Sequence, residues 1–427
     1  MTQRRITGIA AVSMVAALAL AGCSPAAEAP AEDEGTGAGV LTVASIPNYQ
    51  TSLPEAIKVF EEQNPDITVE IEFVEVAALH TQLRTQLAAG TAPDVFTAYP
   101  GNGTPTAMEN LVPDGFLMDL SDLSLNERLP SGMDAVTKVD GKRYILPLTL
   151  GAIGGIYNDA ALEEVGLEAP TTWDDLLEFC EDARAAGKVA FAYGAQTGWQ
   201  NQFPAFPLSA TLVFGADPEF TEAQNAGDAT FSDSAWVDVM EQTKEMSDAG
   251  CYQDSPLGTA YEGAIDLVAK GNALAMISVT STFAAVAAVA PADSTFTFHA
   301  IPGTNDPDET WISAGGSGGY AANAAAKNPV AAKKFLEFLA SDETMAQIAD
   351  LQGALPSITS DAYTVPDSLK EVMTYVDEGR IHPYDDQLWP NAKVATVLIE
   401  QVQLMIGGTA TPKDVLAAMD AAFAEGP

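Results

Sequence analysis

The chain has 427 residues, 47% of them hydrophobic, and its 59 Asp and Glu outnumber 19 Lys and Arg to give a net charge of −40. So acidic a surface repels polyanions and anionic headgroups, and no basic cluster offsets it, which excludes nucleic-acid binding. The histidines His80, His299 and His382 are scattered and no Cys-x-x-Cys occurs, so the sequence supports neither a transition-metal site nor a cofactor.

Arg4 and Arg5 precede an apolar run over 6–20 that is too short to anchor stably across a bilayer, the layout of a secretory signal. Leu20-Ala21-Gly22-Cys23 follows and resembles the lipobox of bacterial lipoproteins. That resemblance implies removal of residues 1–22, acylation of Cys23 and an extracytoplasmic protein tethered to the outer face of the cell membrane. Residues 23–39 are rich in Ala, Pro, Glu and Gly, have nothing to bury, and read as a spacer. No later apolar run is long enough to span a bilayer, since 283–290 is stopped by Pro291. The mature part is therefore expected to be soluble and to touch the membrane only through its lipid. Roughly 385 residues remain beyond the spacer, more than one core usually serves, so two domains are expected.

The first module opens with a strand over 41–46 and a loop over 47–51. Ser52 and Glu55 then have capping-box spacing, and Leu53, Ala56, Ile57 and Phe60 recur at helical intervals until Asn64-Pro65. Ile67, Val69, Ile71 and Phe73 alternate with polar residues as a one-faced strand. Val76, Leu79, Leu83 and Leu87 mark a helix ending at Gly90, and Pro93-Asp94-Val95-Phe96 begins a third strand. Strand, helix, strand, helix, strand implies an α/β fold with a largely parallel sheet. Ligands sit at the carboxyl ends of such strands, here the loops 47–51 and 99–104.

Further along, 144–147 and 153–157 read as strands, and Thr172 caps a helix whose first turn holds Asp174 and Asp175. Helices are expected over 234–247 and 261–269, with a strand over 273–279. Asn328-Pro329 and Ser341-Asp342-Glu343 start two more helices, the second ending at Gly353, and helices over 391–406 and from Thr411-Pro412 close the chain. Cys180 lies on the apolar stripe of its helix, so Cys180 and Cys251 are either a disulfide in an oxidising location or buried thiols.

Several phrases, in order, resemble one family. They are the segment 53–69; Leu87-Ala88-Ala89-Gly90-Thr91-Ala92-Pro93-Asp94-Val95-Phe96; and Asp140-Gly141-Lys142-Arg143-Tyr144-Ile145-Leu146-Pro147. Gly155-Ile156-Tyr157-Asn158 with 170–176, the segment 271–276, and Gly318-Gly319-Tyr320-Ala321 with the helix after it complete the set. Together they resemble the extracellular solute-binding proteins of ABC importers, in the branch of sugar- and maltose-binding receptors. The resemblance covers nearly all of 40–423. It implies a two-lobe periplasmic-binding-protein-like fold with a hinge of crossing strands and a ligand cleft between the lobes. Residues 40–148 plus 311–350 would form one lobe, and 149–310 plus 351–427 the other. It also implies a monomeric, non-enzymatic receptor that closes on a carbohydrate and delivers it to a membrane permease.

A sugar site needs aromatic faces for C–H surfaces and polar groups for desolvated hydroxyls. At strand ends of the first lobe these are Asn48, Tyr49 and Gln50, then Tyr99 and Asn102. In the second lobe, Trp199, Gln200, Asn201, Gln202 and Phe203 gather an indole, a phenyl ring and three amides in one loop. Trp311 precedes Gly315-Gly316-Ser317-Gly318-Gly319, and Trp389 has a weaker claim. The glycine run lacks the Lys-Ser/Thr ending of a P-loop, so Gly316 and Ser317 are read as backbone passing near ligand or bending at the hinge. Maltose-type receptors carry a tryptophan after the strand matching 273–279, whereas here Thr280-Ser281-Thr282-Phe283 follows. Stacking would shift to Phe283, or the ligand is smaller and more polar. The alternatives are a secreted carbohydrate-active enzyme using a carboxylate pair, and a lipoprotein that senses ligand for a signalling partner.

Overall fold

The computed structural model describes residues 37–129 and 133–426, so the signal segment, Cys23 and nearly all of the 23–39 spacer lie outside the described residues. In chain order the strands are β1 (Gly39–Ser45), β2 (Ile67–Phe73), β3 (Val95–Ala98), β4 (Lys138–Val139), β5 (Lys142–Arg143), β6 (Leu146–Pro147) and β7 (Thr149–Asn158). They continue with β8 (Val189–Ala192), β9 (Ala273–Val279), β10 (Phe296–His299), β11 (Ile312–Gly316), β12 (Gly319–Ala322), β13 (Leu355–Pro356) and β14 (Ile381–His382). Two main sheets result, ordered β2-β1-β3-β12-β6 and β14-β11-β7-β9-β8, with β10 and β13 also pairing β7.

In the first sheet β1 runs parallel to β2 and β3, as the βαβ rhythm requires, and β12 joins β3 antiparallel. Edge strand β2 alternates between more and less exposed positions, matching its sequence pattern. The helices Leu53–Gln63 and Pro329–Leu339 bury Phe60 and Phe335, whose rings meet edge-on at 5.1 Å. Asp94 is buried and accepts from Thr42 N (3.0 Å), Thr42 Oγ1 (2.8 Å), Lys327 N (2.6 Å) and Asn328 N (3.3 Å). One carboxylate thus fastens β3 to β1 and to the start of a helix 233 residues away. Ser52 departs from expectation, because its side chain makes no cap; Oγ instead accepts from Gln352 Nε2 at 3.0 Å. A tertiary bond has taken the hydroxyl from the local one.

The second sheet is built on β7, a ten-residue strand that begins four residues before the strand expected at 153–157; of the other expected strand, 144–147, residues 146–147 form β6 in the first sheet. Parallel β8 and β9 pair beside it, covered by the helices Asp159–Val165 and Trp173–Ala185. Thr172 caps the latter, accepting from Asp175 N at 3.2 Å. Cys180 and Cys251 form a disulfide, with Cα atoms 4.7 Å apart, tying that helix to the segment after Trp236–Asp248. At the end, Thr411 and Asp414 make a reciprocal capping box for Pro412–Phe423. No helix among the described residues is long and apolar enough to cross a membrane.

The chain passes between the sheets at 147–149, at 316–319 and just before β13. At the second passage Ile312–Gly316 pairs with β7, and only from Gly319 does the chain pair with β3. Gly315 and Gly316 extend the strand rather than end it, so the bend falls beyond them.

Candidate ligand site

Parallel β1 and β3 end at Ser45 and Ala98, and parallel β8 and β9 end at Ala192 and Val279. The crossing segments bring these two edges together. Leu148 N donates to Gly318 O (3.4 Å) and Ser317 N to Thr149 O (3.2 Å), so the two crossings support each other. The third is clamped by Ser357, whose N donates to Leu148 O (3.1 Å) and Oγ to Pro147 O (2.5 Å).

Five of the residues singled out from sequence gather here: Tyr49, Tyr99, Asn102, Gly316 and Ser317. Tyr49 is buried, its ring 5.8 Å from that of Tyr320, and burial pushes its phenol up to about 12 against a bond with the Thr149 hydroxyl. Tyr99 is half-buried, 5.4 Å from the His80 ring, and burial followed by the nearby Tyr49 raises its phenol as well. Both phenols therefore stay neutral donors at any physiological pH. Asn48 and Gln50 are exposed beside Tyr49, and Asn48 O accepts from Gln352 Nε2 at 2.7 Å.

The other wall is a strap over 383–390, of which the sequence reading named only Trp389. Tyr384 OH lies 3.3 Å from Ser317 Oγ, and Gln387 Nε2 donates to Gly316 O at 2.9 Å. Asp385 is buried, accepts from Ser209 Oγ at 2.5 Å and has His382 Nδ1 at 3.5 Å; the His382 ring stacks on Phe214 at 3.6 Å. Asp386 keeps part of its surface, but Oδ1 is sealed; burial first, and the charge of Asp385 second, push its carboxyl up to about 7. Asn102 Oδ1, Thr104 Oγ1 and Gln387 Oε1 are buried without a partner, which for a polar atom costs free energy until a ligand or water supplies a donor. A short proline-bounded run of an aromatic, two acids and an amide between apolar helices was the available signal for this strap.

Trp199 heads a second cluster. Its indole is 36% exposed and meets Tyr261 edge-on at 4.8 Å and Phe203 at 5.4 Å. Tyr261 OH donates to Thr282 Oγ1 at 3.0 Å, which places the indole beyond the carboxyl end of β9. Gln200, Asn201 and Phe203 are buried behind it, and Gln202 is half-buried. Asn201 accepts from Tyr193 OH (2.7 Å) and donates to Ala195 O (3.2 Å), so this amide shapes the loop.

The side chains of Phe283, Trp311 and Trp389 pack elsewhere. Phe283 is buried in the first turn of the helix Thr282–Val289, against Gly353. Trp311 lays its indole on Gly215, and its backbone exchanges bonds with Thr211 Oγ1 (3.0 and 3.2 Å). Trp389 is buried among Phe206, Phe231 and Trp236.

A cavity of about 440 Å³ also borders the crossings, lined by Val136, Leu150, Leu355, Met373, Val376 and Ile381 among others. Its wall is mostly apolar, and two of its hydroxyls are already committed, Ser357 to Pro147 O and Tyr363 to Ala354 O, so most saccharide hydroxyls would lose water there without replacement. No group of three or more His, Cys, Asp or Glu among the described residues is placed to hold a metal ion.

Residues 44–346 match the bacterial extracellular solute-binding protein family, and the chain belongs to it. The multiple sugar-binding protein of Streptococcus mutans is 27% identical over 307 residues, 71% of each chain. The melibiose/raffinose/stachyose-binding protein MelE of Bacillus subtilis is 22% identical over 410 residues, 93% of this chain and 91% of that one. Among solved structures, a chitin oligosaccharide binding protein superposes with a TM-score of 0.78 at 24% identity, covering 90% of this chain and 98% of the other. The solute-binding protein RafE in complex with raffinose gives 0.75 at 22% identity with the same coverage. The fold is the two-lobe α/β fold of solute-binding proteins.

Proposed function

We propose that the protein is the extracytoplasmic substrate-binding receptor of an ABC importer, capturing a carbohydrate between its lobes and passing it unchanged to the membrane permease. The observation that carries this reading is the joining of aromatic faces and polar groups where the strand edges meet. Tyr49, Tyr99 and Tyr384 stand beside Ser317, Asn102, Asp386 and Gln387. That combination suits a saccharide, whose rings present C–H faces and whose hydroxyls need partners once removed from water. The names of the relatives from Streptococcus mutans and Bacillus subtilis support a carbohydrate over other solutes. None of the residues in either cluster is Lys or Arg, which favours a ligand without phosphate. We assign ligand contact to the Tyr49–Tyr384 cluster, with Asn48 and Gln50 at its rim, and an outer stacking platform to Trp199.

Closure is a hinge motion at the crossing segments, productive because the ligand touches both lobes. The lipobox-like run at Cys23 supports a lipid tether that keeps the receptor beside its permease. Cys23→Ala should release the protein from the membrane and leave affinity intact.

The test is a thermal-shift and calorimetric screen of the mature chain against mono- and oligosaccharides. A ligand at 100 times its Kd stabilises by about 2.7 kcal/mol, and the sugar should be recovered intact. Cleavage of a glycan, abolished by one carboxylate-to-amide change, would overturn the reading in favour of an enzyme. Loss of uptake on deleting the receptor distinguishes transport from sensing.

A further inference from the structure

The strap over 383–390 belongs mechanically to the second lobe. Gln387 is bonded to Gly316 at the end of β11, Asp385 to Ser209, His382 is stacked on Phe214, and Trp389 is set among Phe206, Phe231 and Trp236. The loop over 99–104 belongs to the first lobe, since it continues β3. Its Gly101 N donates to Val136 O at 2.7 Å and its Asn102 O accepts from Asn110 Nδ2 at 3.1 Å. Neither segment can follow the other lobe without breaking its own anchors.

The two nevertheless meet backbone to backbone. Asn102 N donates to Gln387 O (3.2 Å) and Asn102 Nδ2 to Pro390 O (2.6 Å). The flanking glycines permit the approach. A Cβ on Gly101 would stand 2.7 Å from Gln387 Cα, and one on Gly103 would stand 2.6 Å from Asp386 Cγ. Atoms that close must move, and at Gly101 the obstacle is main chain. The seam starts beside the crossing at Gly316 and runs outward along the strap to Pro390.

We propose that this seam is a closure latch, formed when the lobes close and broken when they open, with Gly101, Gly103 and Asp386 as the residues that set its strength. It rests on the two-lobe receptor reading and adds to it a determinant of affinity, the seam's own bonds between the lobes, separate from the bonds these side chains offer a ligand. Because the apparent Kd is the intrinsic Kd divided by the fraction of protein able to close, weakening the latch weakens binding at every ligand subsite alike. Both bonds at Asn102 join uncharged groups, so these two bonds are insensitive to salt.

The experiment uses the mature chain in two variants, read first without ligand. Gly103→Ala pushes against Asp386, and X-ray scattering should show a larger radius of gyration for the free protein than wild type. In the other variant, Gly103→Cys is combined with Asp386→Cys. Oxidation should lock the smaller radius and abolish the change seen on opening, and reduction should restore it. With any saccharide found to bind, Gly103→Ala should raise Kd at least tenfold, chiefly through faster release. Wild-type scattering and affinity in Gly103→Ala would overturn the proposal. So would a crosslinked pair whose scattering still changes as wild type does, because the seam would then be a pivot. If Gly103→Ala fails to fold, the reduced and oxidised cysteine pair decides alone. The scattering needs no ligand, so a failed carbohydrate screen leaves the latch test standing.

Discussion

Asn102 and Pro390 are 288 positions apart in the chain, and the amide of one donates to the carbonyl of the other at 2.6 Å. That bond joins a loop after a parallel strand to a strap before a long C-terminal helix. The proposed cleft lies where such distant segments converge, with walls drawn from four separate stretches: 48–50, 99–104, 316–317 and 384–387.

Tyr384 and Ser317 form one pair across these stretches. Ser317→Ala removes a single hydroxyl at half-buried surface and should weaken carbohydrate binding by about 1 kcal/mol, five- to tenfold, with little loss of stability. Tyr384→Ala removes the ring as well and should cost affinity more. Titration calorimetry checks both, and an unchanged Kd in Tyr384→Ala would remove the tyrosine from the site.

Trp199 is exposed enough to be dispensable for folding yet sits beyond the end of β9. Trp199→Ala should lower affinity tenfold or more, as loss of an aromatic anchor does, and reduce stability by about 1–2 kcal/mol through its contacts with Tyr261 and Phe203. Comparing thermal shifts with and without sugar separates the two effects. An equal shift in variant and wild type would return Trp199 to plain packing.

Asp386 makes stability depend on pH in a defined direction. Its carboxyl is pushed up to about 7, by burial and then by Asp385, so between about pH 4 and pH 7 the folded state holds a proton the unfolded state has lost. This stabilisation is complete below the ordinary Asp range and disappears as pH rises through 7. Asp386→Asn should therefore be most stabilising relative to wild type above pH 7, by a few kcal/mol at most, and nearly neutral at pH 4. Melting temperatures of both proteins across that range check it; parallel curves would contradict it.

The Cys180–Cys251 disulfide closes a loop of sequence separation 71. Cys251→Ser should lower stability by about 2–4 kcal/mol, mainly by freeing the unfolded chain. Denaturant titration is the measurement, and carbohydrate affinity should persist where the variant is folded. Insensitivity of the wild-type midpoint to reductant would show that the bond does not contribute.

Much of the scaffold was legible because it rests on local periodicity. The alternation of 67–73, the Leu spacing of Val76–Ala89 with Gly90 after it, and Asn328-Pro329 each carry their own signal, and each element stands where that signal puts it. Ser52 was misread because a hydroxyl suited to a cap was claimed by Gln352, a contact no window of sequence contains. The glycine run after Trp311 reads as backbone near ligand or bending at the hinge, and only pairing with β7 shows that Gly315 and Gly316 continue a strand. Tyr49 and Tyr99 were singled out by asking which aromatic and polar residues follow strands, and Ser317 by the glycine run around it. Tyr384–Gln387 escaped because they precede a helix and follow a strand of two residues, too short to announce an end. Asn201 is an amide of the Trp199 loop whose own partners are the Tyr193 hydroxyl and the Ala195 carbonyl of its lobe.

The central claim is carbohydrate capture in the cleft walled by Tyr49, Tyr99, Ser317 and Tyr384. Titration calorimetry of the wild-type mature chain against neutral oligosaccharides, with Tyr384→Ala in parallel, tests it most directly. Saturable one-to-one binding of at least one sugar, weakened at least tenfold in the variant, is the predicted result. No heat with any sugar from a folded protein, or equal affinity in the two, would contradict it.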